Sequence, residues 1–334
     1  MCRAVRPLTR CTSSQVGLSA VIPTWRRPHL LAEVLEPLLS DTTVEEIIVV
    51  DDGSGDTTVE VCEQLAATAP KLRLIQQRNQ GPAEARRKGA RAAGGRIVLV
   101  LDDDVVAGPG LGAMHLEHHE RDPNGLVLVG YMPPDLPARR KAADFPVHLY
   151  ARDYEAVCRR YEADPDEVLL NMWGGHFSVR RDLLLAAADS VPAVPYHEDQ
   201  ILGWNLRALG CHGRFDPGLP SRHRYERTPA RYFQDNERRG GALALLPDPP
   251  TDGILVIPAE GPGAIRALER RLAGSPTAMT MLRAAVFGLG LVRAWRTQLG
   301  LARVVRSAVG YRAYRSTLAD LLQPTSSGRV SPST

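Results

Sequence analysis

Short apolar runs alternate with segments of helical periodicity over the first third of this chain. Residues 18–22 form an apolar run closed by Pro23, and residues 29–39 then repeat apolar side chains every three or four positions. A continuous apolar run is typical of a strand buried on both faces, whereas a spacing of three or four is typical of a helix. The same order recurs, with strands predicted at 46–50, 72–76 and from Arg96, and helices at 56–69 and 82–93. This alternation predicts an α/β fold built on a doubly wound, mostly parallel sheet.

Polar residues follow three of the predicted strands, at 24–27, 51–52 and 102–104. Because the carboxyl ends of parallel strands meet at one edge of the sheet, we expect these groups to line a single crevice. The three adjacent aspartates at 102–104 repel one another unless a cation or hydrogen-bond donors neutralise them, and carboxylate oxygens suit Mg²⁺ or Mn²⁺. The pattern predicts a metal-dependent site for a nucleotide or a phosphate.

The sequence argues against several other classes of protein. The first predicted strand is followed by PTWRRP rather than by the glycine-rich turn of a dinucleotide-binding fold, and the chain contains no P-loop. Phosphates would therefore be bound by a metal and by arginines rather than by a backbone cradle. The longest apolar run near the C terminus, residues 284–292, is about half as long as a membrane-spanning helix, so we expect no integral membrane segment.

Cysteine content and charge distribution bear on where the protein works. The five cysteines are scattered and include no C-x-x-C pair, which argues against a disulfide framework and favours a reducing cytoplasm. Residues 270–319 contain nine arginines and no acidic residue. Such a segment is either a solvated helix packed on its own domain or a basic helix that touches anionic lipid. We expect a cytoplasmic protein with no nucleic-acid partner; the packed helix is the more common case, and contact with the inner face of the membrane stays open as the alternative.

Five sequence blocks, taken in order, resemble those of glycosyltransferase family 2. The blocks are VIPTWRRP, IIVVDDGSGD, NQGPAEARRKGARAAGG, IVLVLDDDV and HEDQILGWNLRALG, and the resemblance covers residues 18–246. It implies the glycosyltransferase-A fold, and transfer of a sugar from a nucleotide-diphospho-sugar with inversion of the anomeric centre. Because the Gln-x-x-Arg-Trp signature of processive polysaccharide synthases is missing, we expect a single transfer.

The resemblance also assigns roles at the donor site. Asp52 would hydrogen-bond the base, and Trp25 stands where the family often has a tyrosine. Asp102 would face the ribose, while Asp104 would hold the Mn²⁺ or Mg²⁺ that bridges the phosphates. His223 lies where some members place a further metal ligand, the alternative being a polar loop histidine. The expected nucleotide-sugar-binding residues are Pro23, Trp25, Asp52, Asn79, Arg86, Asp102, Asp103, Trp173, Gly174, Gly175 and Arg224, and the expected metal ligands are Asp104, Asp102 and His223.

The second half of the chain is expected to supply the acceptor side. Gly174 and Gly175 allow close approach of a ligand, and Trp173 offers a flat apolar face to a sugar, unless it is simply a core tryptophan in a tight turn. Asp199 opens a predicted helix and would, by the resemblance, be the general base, with Glu198 as the alternative. Acidic residues at a helix start are otherwise ordinary caps.

Two further clusters follow from the sequence. Arginines at 222, 224, 238 and 239 suit a diphosphate leaving group, because their planar forks match phosphate oxygens. The cluster of His115, Glu117, His118 and His119 could suggest zinc, but we expect it to lie on an exposed helix.

These expectations divide the chain into five parts. They are a disordered leader (1–16), a catalytic domain (17–246) with a nucleotide-binding half (17–110) and an acceptor half (111–246), a linker (247–263), a basic helical extension (264–322) and a disordered tail (323–334). Residues 133–166 and those from 247 onward fall outside the resemblance, so we expect them to select the sugar and the acceptor.

We expect a UDP-sugar as the donor. A small metabolite, a glycan end and a polyprenyl phosphate all remain open as acceptors. One rival is a haloacid-dehalogenase-like phosphatase, suggested by Asp102-x-Asp104, although no lysine follows Lys141 to complete that family's pattern. The other rival is a nucleotide-sugar-binding relative without catalysis, which the retained acidic blocks argue against.

Overall fold

The computed structural model describes residues 17–192, 194–246 and 259–322. The strands are β1 (Leu18–Thr24), β2 (Val44–Asp51), β3 (Leu72–Gln76), β4 (Ile97–Leu101), β5 (Val105–Ala107), β6 (Leu126–Tyr131), β7 (His176–Arg180) and β8 (His212–His223). The helices are α1 (Pro28–Ser40), α2 (Thr58–Ala66), α3 (Pro82–Ala92), α4 (Leu111–Arg121), α5 (Phe145–Ala163), α6 (Glu167–Leu170), α7 (Arg181–Ala188), α8 (Glu198–Ala208), α9 (Pro229–Leu243), α10 (Ala264–Ala273), α11 (Pro276–Leu291) and α12 (Trp295–Leu321). The predicted leader, the predicted tail and residues 247–258 of the predicted linker lie outside the described residues.

The eight strands form one sheet in the order β3-β2-β1-β4-β7-β6-β8-β5. Strands β3, β2, β1 and β4 are parallel, as are β6 and β8. Strand β7 runs antiparallel to β4 and β6, and β5 runs antiparallel to β8. The predicted α/β fold, with a mostly parallel sheet and a helical C-terminal extension, is confirmed.

Burial explains why the N-terminal strands were recognisable. Every residue of β1 and of β4 is buried, as expected for central parallel strands covered by helices on both faces. The prediction that Pro23 closes the first strand is wrong, because β1 continues to Thr24 and Pro23 pairs with Val50. The pairing of β1 with β4 ends at Val21, so Pro23 needs no N–H donor on that side.

Two strand pairings bring the second half of the chain to the triple aspartate. In the β4–β7 pair, Leu101 lies opposite His176, and the backbone N–H of Asp102 donates to the carbonyl of Gly175 at 3.0 Å. In the β5–β8 pair, Val105 lies opposite His223. The segments before β7 and after β8 therefore meet the end of β4.

The C-terminal helices share a hydrophobic core with the helices before them. Phe145 of α5 and Phe233 of α9 lie in one cluster with residues of α11 and α12. Helices α9 and α12 approach closely at Gly240, where an added Cβ would lie 2.1 Å from the carbonyl oxygen of Gly310. The basic α12 is therefore packed on its own chain. No helix within the described residues combines the length and apolarity needed to cross a membrane.

The expectation of an exposed histidine helix is wrong, because His115 and His119 of α4 face the interior. His115 contacts Ser178 Oγ through Nδ1 (2.7 Å) and His176 through Nε2 (2.9 Å), and His119 Nε2 lies 2.8 Å from the same hydroxyl. Burial lowers the pKa of His115 well below its usual value, that of His119 to about 4 and that of His176 to about 3. These imidazoles are neutral at physiological pH and belong to the core.

Candidate functional site

The three consecutive aspartates at the end of β4 have different partners. Asp103 holds the loop after β1, accepting hydrogen bonds from Thr24 Oγ1 (2.8 Å), the Trp25 backbone N–H (3.2 Å) and Arg27 Nη1 (2.5 Å). These contacts use the carboxylate of Asp103 to position neighbouring backbone. The structure therefore brings Asp103 to the site as a support for residues 24–27.

Asp104 lies between two cationic or potentially cationic groups. Its Oδ2 is 2.6 Å from Arg27 Nη1, and its Oδ1 is 3.3 Å from His223 Nε2. Burial acts to raise the pKa of Asp104, but His223 and Arg27 outweigh that effect and lower it, so the carboxylate is ionised. A buried carboxylate facing an imidazole nitrogen is a donor set that fits Mn²⁺ or Mg²⁺ completed by phosphate oxygens. No group of three or more His, Cys, Asp or Glu residues in the described parts of the chain is already arranged to hold an ion.

Asp102 is joined to the acidic residues at the start of α8 by one buried arginine. Arg86 Nη2 donates to Asp102 Oδ1 at 2.8 Å, and Arg86 Nη1 donates to Glu198 Oε1 at 3.0 Å. Burial alone would lower the pKa of Arg86, but Asp102 and Glu198 outweigh it and raise that pKa. A permanently charged arginine thus links the end of β4 to the start of α8.

The environment of Asp199 suits a proton acceptor. Burial raises the pKa of Asp199, while Arg86 and the backbone N–H groups of Gly174 (3.2 Å) and Gln200 (2.9 Å) act in the opposite direction. The pKa of Glu198 is also raised, by burial and then by Asp199. His197, just before α8, has a φ of 69°, in the left-handed region where a non-glycine residue is strained.

The two glycines before β7 separate Asp102 from Asp199. A Cβ added at Gly174 would lie 2.9 Å from Asp199 Cβ, and one added at Gly175 would lie 2.9 Å from Met132 and 3.1 Å from Asp102 Oδ2. The close neighbours of these two glycines are the protein's own side chains, and the close approach of a ligand stays a prediction.

The carboxylate of Asp52 is occupied by the loop after β3. It accepts hydrogen bonds from Gln77 Nε2 and from the backbone N–H groups of Gln80 and Gly81, each at 2.8 Å. Asn79 is exposed in the same loop. Asp52 thus sets the shape of the loop that leads into α3 and Arg86.

The remaining predicted residues are divided between the site and its surroundings. Pro23 and Trp25 lie at the end of β1, where the Trp25 ring is 42% exposed and carries the Arg26 guanidinium 4.9 Å from its centroid. The guanidinium of Arg224 pairs with Asp135 and Glu33 and lies outside the two clefts described next.

Two adjoining clefts open beside these acids. The smaller, of about 420 Å³, is lined by Asp102, Gly174, Glu198, Asp199 and His223 among others. The larger, of about 1180 Å³, extends from it beneath α12. Trp173 lines both clefts and stacks on Tyr150 and Tyr154, with ring centroids 5.4 and 5.1 Å apart. Trp173 is thus stacked among aromatic side chains and also borders both clefts, and its contact with a sugar stays a prediction.

Three residues of the site were not singled out from the sequence in these roles. Arg27 neutralises Asp103 and Asp104, Tyr150 stacks on Trp173, and Arg239 lines both clefts. The adjacent arginines of TWRR were a usable signal for Arg27. Tyr150 gave no signal, because its position depends on how α5 packs across the sheet.

Comparison with known proteins identifies the family context. The family model described as Glycosyl transferase family 2 matches residues 19–184, about half of the chain. The glycosyltransferase YibD of Escherichia coli, described as uncharacterised, is 36% identical over 88 residues, which is 26% of this chain and 26% of YibD. The matched segments span between 24% and 38% of the first few curated relatives. Because the triple aspartate lies inside the matched segment, the phosphatase interpretation is set aside.

Solved structures share the fold over most of the chain. The mannosyltransferase PcManGT from Pyrobaculum calidifontis, in complex with GDP-Man and Mn²⁺, aligns with a TM-score of 0.54 at 18% identity, covering 89% of this chain and 87% of its own. Residues 1–349 of TarS from S. aureus, in complex with UDP-GlcNAc, align with a TM-score of 0.50 at 15% identity, covering 91% and 92%. At such identities the likeness establishes the fold.

Proposed function

Because the chain belongs to glycosyltransferase family 2, we propose that it transfers a sugar from a nucleotide-diphospho-sugar to an acceptor hydroxyl. One observation carries the proposal: Arg86 joins Asp102, at the end of β4, to Glu198, beside Asp199. Donor-side and acceptor-side acids thereby border a single cleft. A transferase needs such an arrangement, because the attacking hydroxyl and the departing diphosphate meet at one carbon atom.

The proposed reaction is a single displacement with inversion. Asp199 removes the proton of the acceptor hydroxyl while the oxygen of that hydroxyl attacks the anomeric carbon. The bond from that carbon to the diphosphate oxygen breaks at the same time. The raised pKa of Asp199 supports this role, since a stronger base accepts the proton more readily. Glu198 is a weaker candidate because its carboxylate is already paired with Arg86. General base catalysis of this kind typically contributes about 10²- to 10⁴-fold.

We further propose that Mn²⁺ or Mg²⁺ is held by Asp104 and His223, with Asp102 beside them. When bound, the ion would stabilise the negative charge of the departing diphosphate. Arg27 now neutralises Asp104. Because the pKa of Asp104 is lowered, its carboxylate stays charged and is available to bind a cation.

We propose UDP as the nucleotide carrier, on the family resemblance of the DDGSGD and DDD blocks. Thermal unfolding of the purified protein, measured with UDP, GDP, CDP and dTDP in Mn²⁺ and in EDTA, tests both carrier and metal. Stabilisation by UDP that EDTA abolishes is expected. Asp104→Asn should unfold at a lower temperature than the wild type, because it loses the buried ion pair with Arg27, and it should lose the metal-dependent shift measured against its own free protein. A wild-type protein that no nucleotide stabilises in Mn²⁺ would overturn the proposal.

We also propose that the C-terminal helices contact an anionic membrane surface. Met281, Phe287 and Leu291 of α11, and Val292 after it, are large apolar side chains that are 43–74% exposed. They lie in the segment with nine arginines and no acid, which is the charge that anionic lipid attracts. Co-sedimentation with phosphatidylglycerol vesicles, and not with phosphatidylcholine vesicles, is expected. Met281→Ser combined with Phe287→Ser should abolish it, and equal binding to both vesicle types would contradict the proposal.

A further inference from the structure

The larger cleft continues from the smaller one that holds Asp199. Both are lined by the same six residues, which are Tyr150, Trp173, Tyr196, His197, Arg239 and Leu243. The far wall of the larger cleft comes from α12 and the start of α10, through residues such as Ile265, Val304 and Gly310. A molecule lying in the larger cleft can therefore extend to Asp199 along the residues that the two clefts share.

Cations outnumber acids around the larger cleft. Its basic side chains are Arg227, Arg239, Arg266, Arg303 and Arg306, and its acidic side chains are Asp153, Asp235 and Glu269. Every one of these acids already has an arginine partner: Asp153 pairs with Arg303 and Arg306, Asp235 with Arg227, and Glu269 with Arg266. The lining is left with two arginines more than it has acids.

Arg239 is the cation of this lining that is not committed elsewhere. Within the described ranges its guanidinium has no ion pair or hydrogen bond, whereas Arg227 and Arg306 are both paired. Arg239 is close enough to Asp199 to lower its pKa, against the larger effect of burial. It also lies near the stacked rings of Tyr150 and Tyr225. Arg239 is exposed, so its guanidinium is open to a ligand, and its place next to aromatic faces suits one with a charged end and an apolar or flat body.

We propose that the larger cleft binds the acceptor, and that this acceptor carries a phosphate monoester that pairs with Arg239. The proposal rests on the proposed function, because it takes Asp199 as the base toward which the acceptor hydroxyl points. A phosphate monoester carries close to two negative charges at neutral pH, which matches the surplus of two arginines. The aromatic and aliphatic lining receives the remainder of the acceptor.

Equilibrium binding tests the proposal on the full chain with saturating UDP and Mn²⁺, so that the donor site is already occupied. The three probes are n-octyl phosphate, n-octyl glucoside and glucose 1-phosphate, each below its micelle concentration. The phosphorylated probes should bind at least about tenfold more tightly than the uncharged glucoside, as expected for a charge-assisted pair. A preference for octyl phosphate over glucose 1-phosphate would indicate a lipid-borne phosphate, and the reverse a free metabolite.

Substitution at neighbouring positions identifies the cation. Arg239→Ala should weaken both phosphorylated probes by about tenfold or more and leave the glucoside unchanged. Arg238→Ala is the matched control, because Arg238 is exposed on the same helix, as Arg239 is, but lines neither cleft. It should bind all probes as the wild type does.

Several results would overturn the inference. They are equal affinity for octyl phosphate and octyl glucoside, binding of none of the probes, and a loss in Arg239→Ala that Arg238→Ala reproduces. Weaker UDP binding in Arg239→Ala with unchanged probe binding would assign Arg239 to the donor diphosphate instead. Failure of the proposed function looks different, because the protein would then bind no nucleotide. In that case, binding of the same three probes in the absence of nucleotide would still measure the preference of the larger cleft for phosphate.

Discussion

The donor edge, which is the set of acids around Asp102, Asp103 and Asp104 at the end of β4, and the larger cleft have surplus charge of opposite sign. At the donor edge, four carboxylates (Asp102, Asp103, Asp104 and Glu198) share three basic side chains (Arg27, Arg86 and His223), so carboxylates are in excess. In the larger cleft every acid is paired and Arg239 is left over. A surplus of buried charge, as at Asp103 and Asp104, is costly unless a ligand of the opposite sign completes it. Arg239 is exposed and solvated, so the comparison teaches that only the first region has a physical need for a cation, whereas the anion proposed for the second would bind to an arginine that is already open to solvent.

Replacing Asp199, the proposed base that lies between the two regions' ligands, should have the largest effect on the rate of transfer. Asp199→Asn keeps the shape of the side chain but cannot accept the proton, so release of nucleoside diphosphate from the donor should fall by about 10²- to 10⁴-fold. Thermal stabilisation by the donor with Mn²⁺ should persist. Normal turnover in Asp199→Asn together with loss in Glu198→Gln would transfer the role of base to Glu198.

A methyl group added at Gly174, beside Asp199, tests whether the position of the proposed base can be changed without affecting the donor edge. The Cβ of Gly174→Ala would lie 2.9 Å from Asp199 Cβ, so Asp199 must shift while the donor edge keeps its partners. The rate should fall about 10- to 100-fold, because small misplacements of a catalytic group are costly. Titration of the donor by calorimetry should give the wild-type affinity. An unchanged rate would show that the position of Asp199 is not critical.

Separating α9 from α12 should lower the free energy of unfolding by disturbing the helix packing that builds the larger cleft. The Cβ of Gly240→Ala would lie 2.1 Å from the Gly310 carbonyl oxygen, so the helices must move apart at a cost of about 1–3 kcal/mol in the free energy of unfolding. Gly288→Ala on α11 is the control, because its Cβ would meet nothing within 4 Å. Urea unfolding should show the loss in the first variant only. Equal stability of the two variants would contradict close packing at Gly240.

The buried, neutral histidines His115, His119 and His176, which line neither cleft, predict a pH dependence of stability. Their pKa values lie below the unfolded value of about 6.5, so the unfolded state binds more protons as the pH falls. From pH 6.5 down toward pH 4, stability should fall by about 1.4 kcal/mol per pH unit for each of these histidines. Thermal unfolding of His119→Gln across this range should give a shallower slope. His29→Gln, at an exposed histidine, should leave the slope as it is in the wild type.

Much of the donor half could be predicted from sequence, because its signals are local. The apolar runs of β1, β2 and β4 and the acids that follow them were recognisable from residues adjacent in the chain. The burial of His115 was not recognisable, because its partners, Ser178 and His176, lie more than sixty positions away. Nor was the pairing of Arg224 with Asp135 and Glu33, which removes its guanidinium from the clefts.

The sequence by itself determined the sheet, the helical extension and the acids of the site, since apolar periodicity and adjacent carboxylates act over a few residues. Only the tertiary structure decided which cation meets which acid. Arg86, which lies 16 positions from Asp102 and 112 positions from Glu198, joins these two acids, and the packing of Gly240 against Gly310 builds the larger cleft from the C-terminal helices. The physical reason is that ion pairs and helix contacts depend on distance in space, which the order of residues along the chain does not specify.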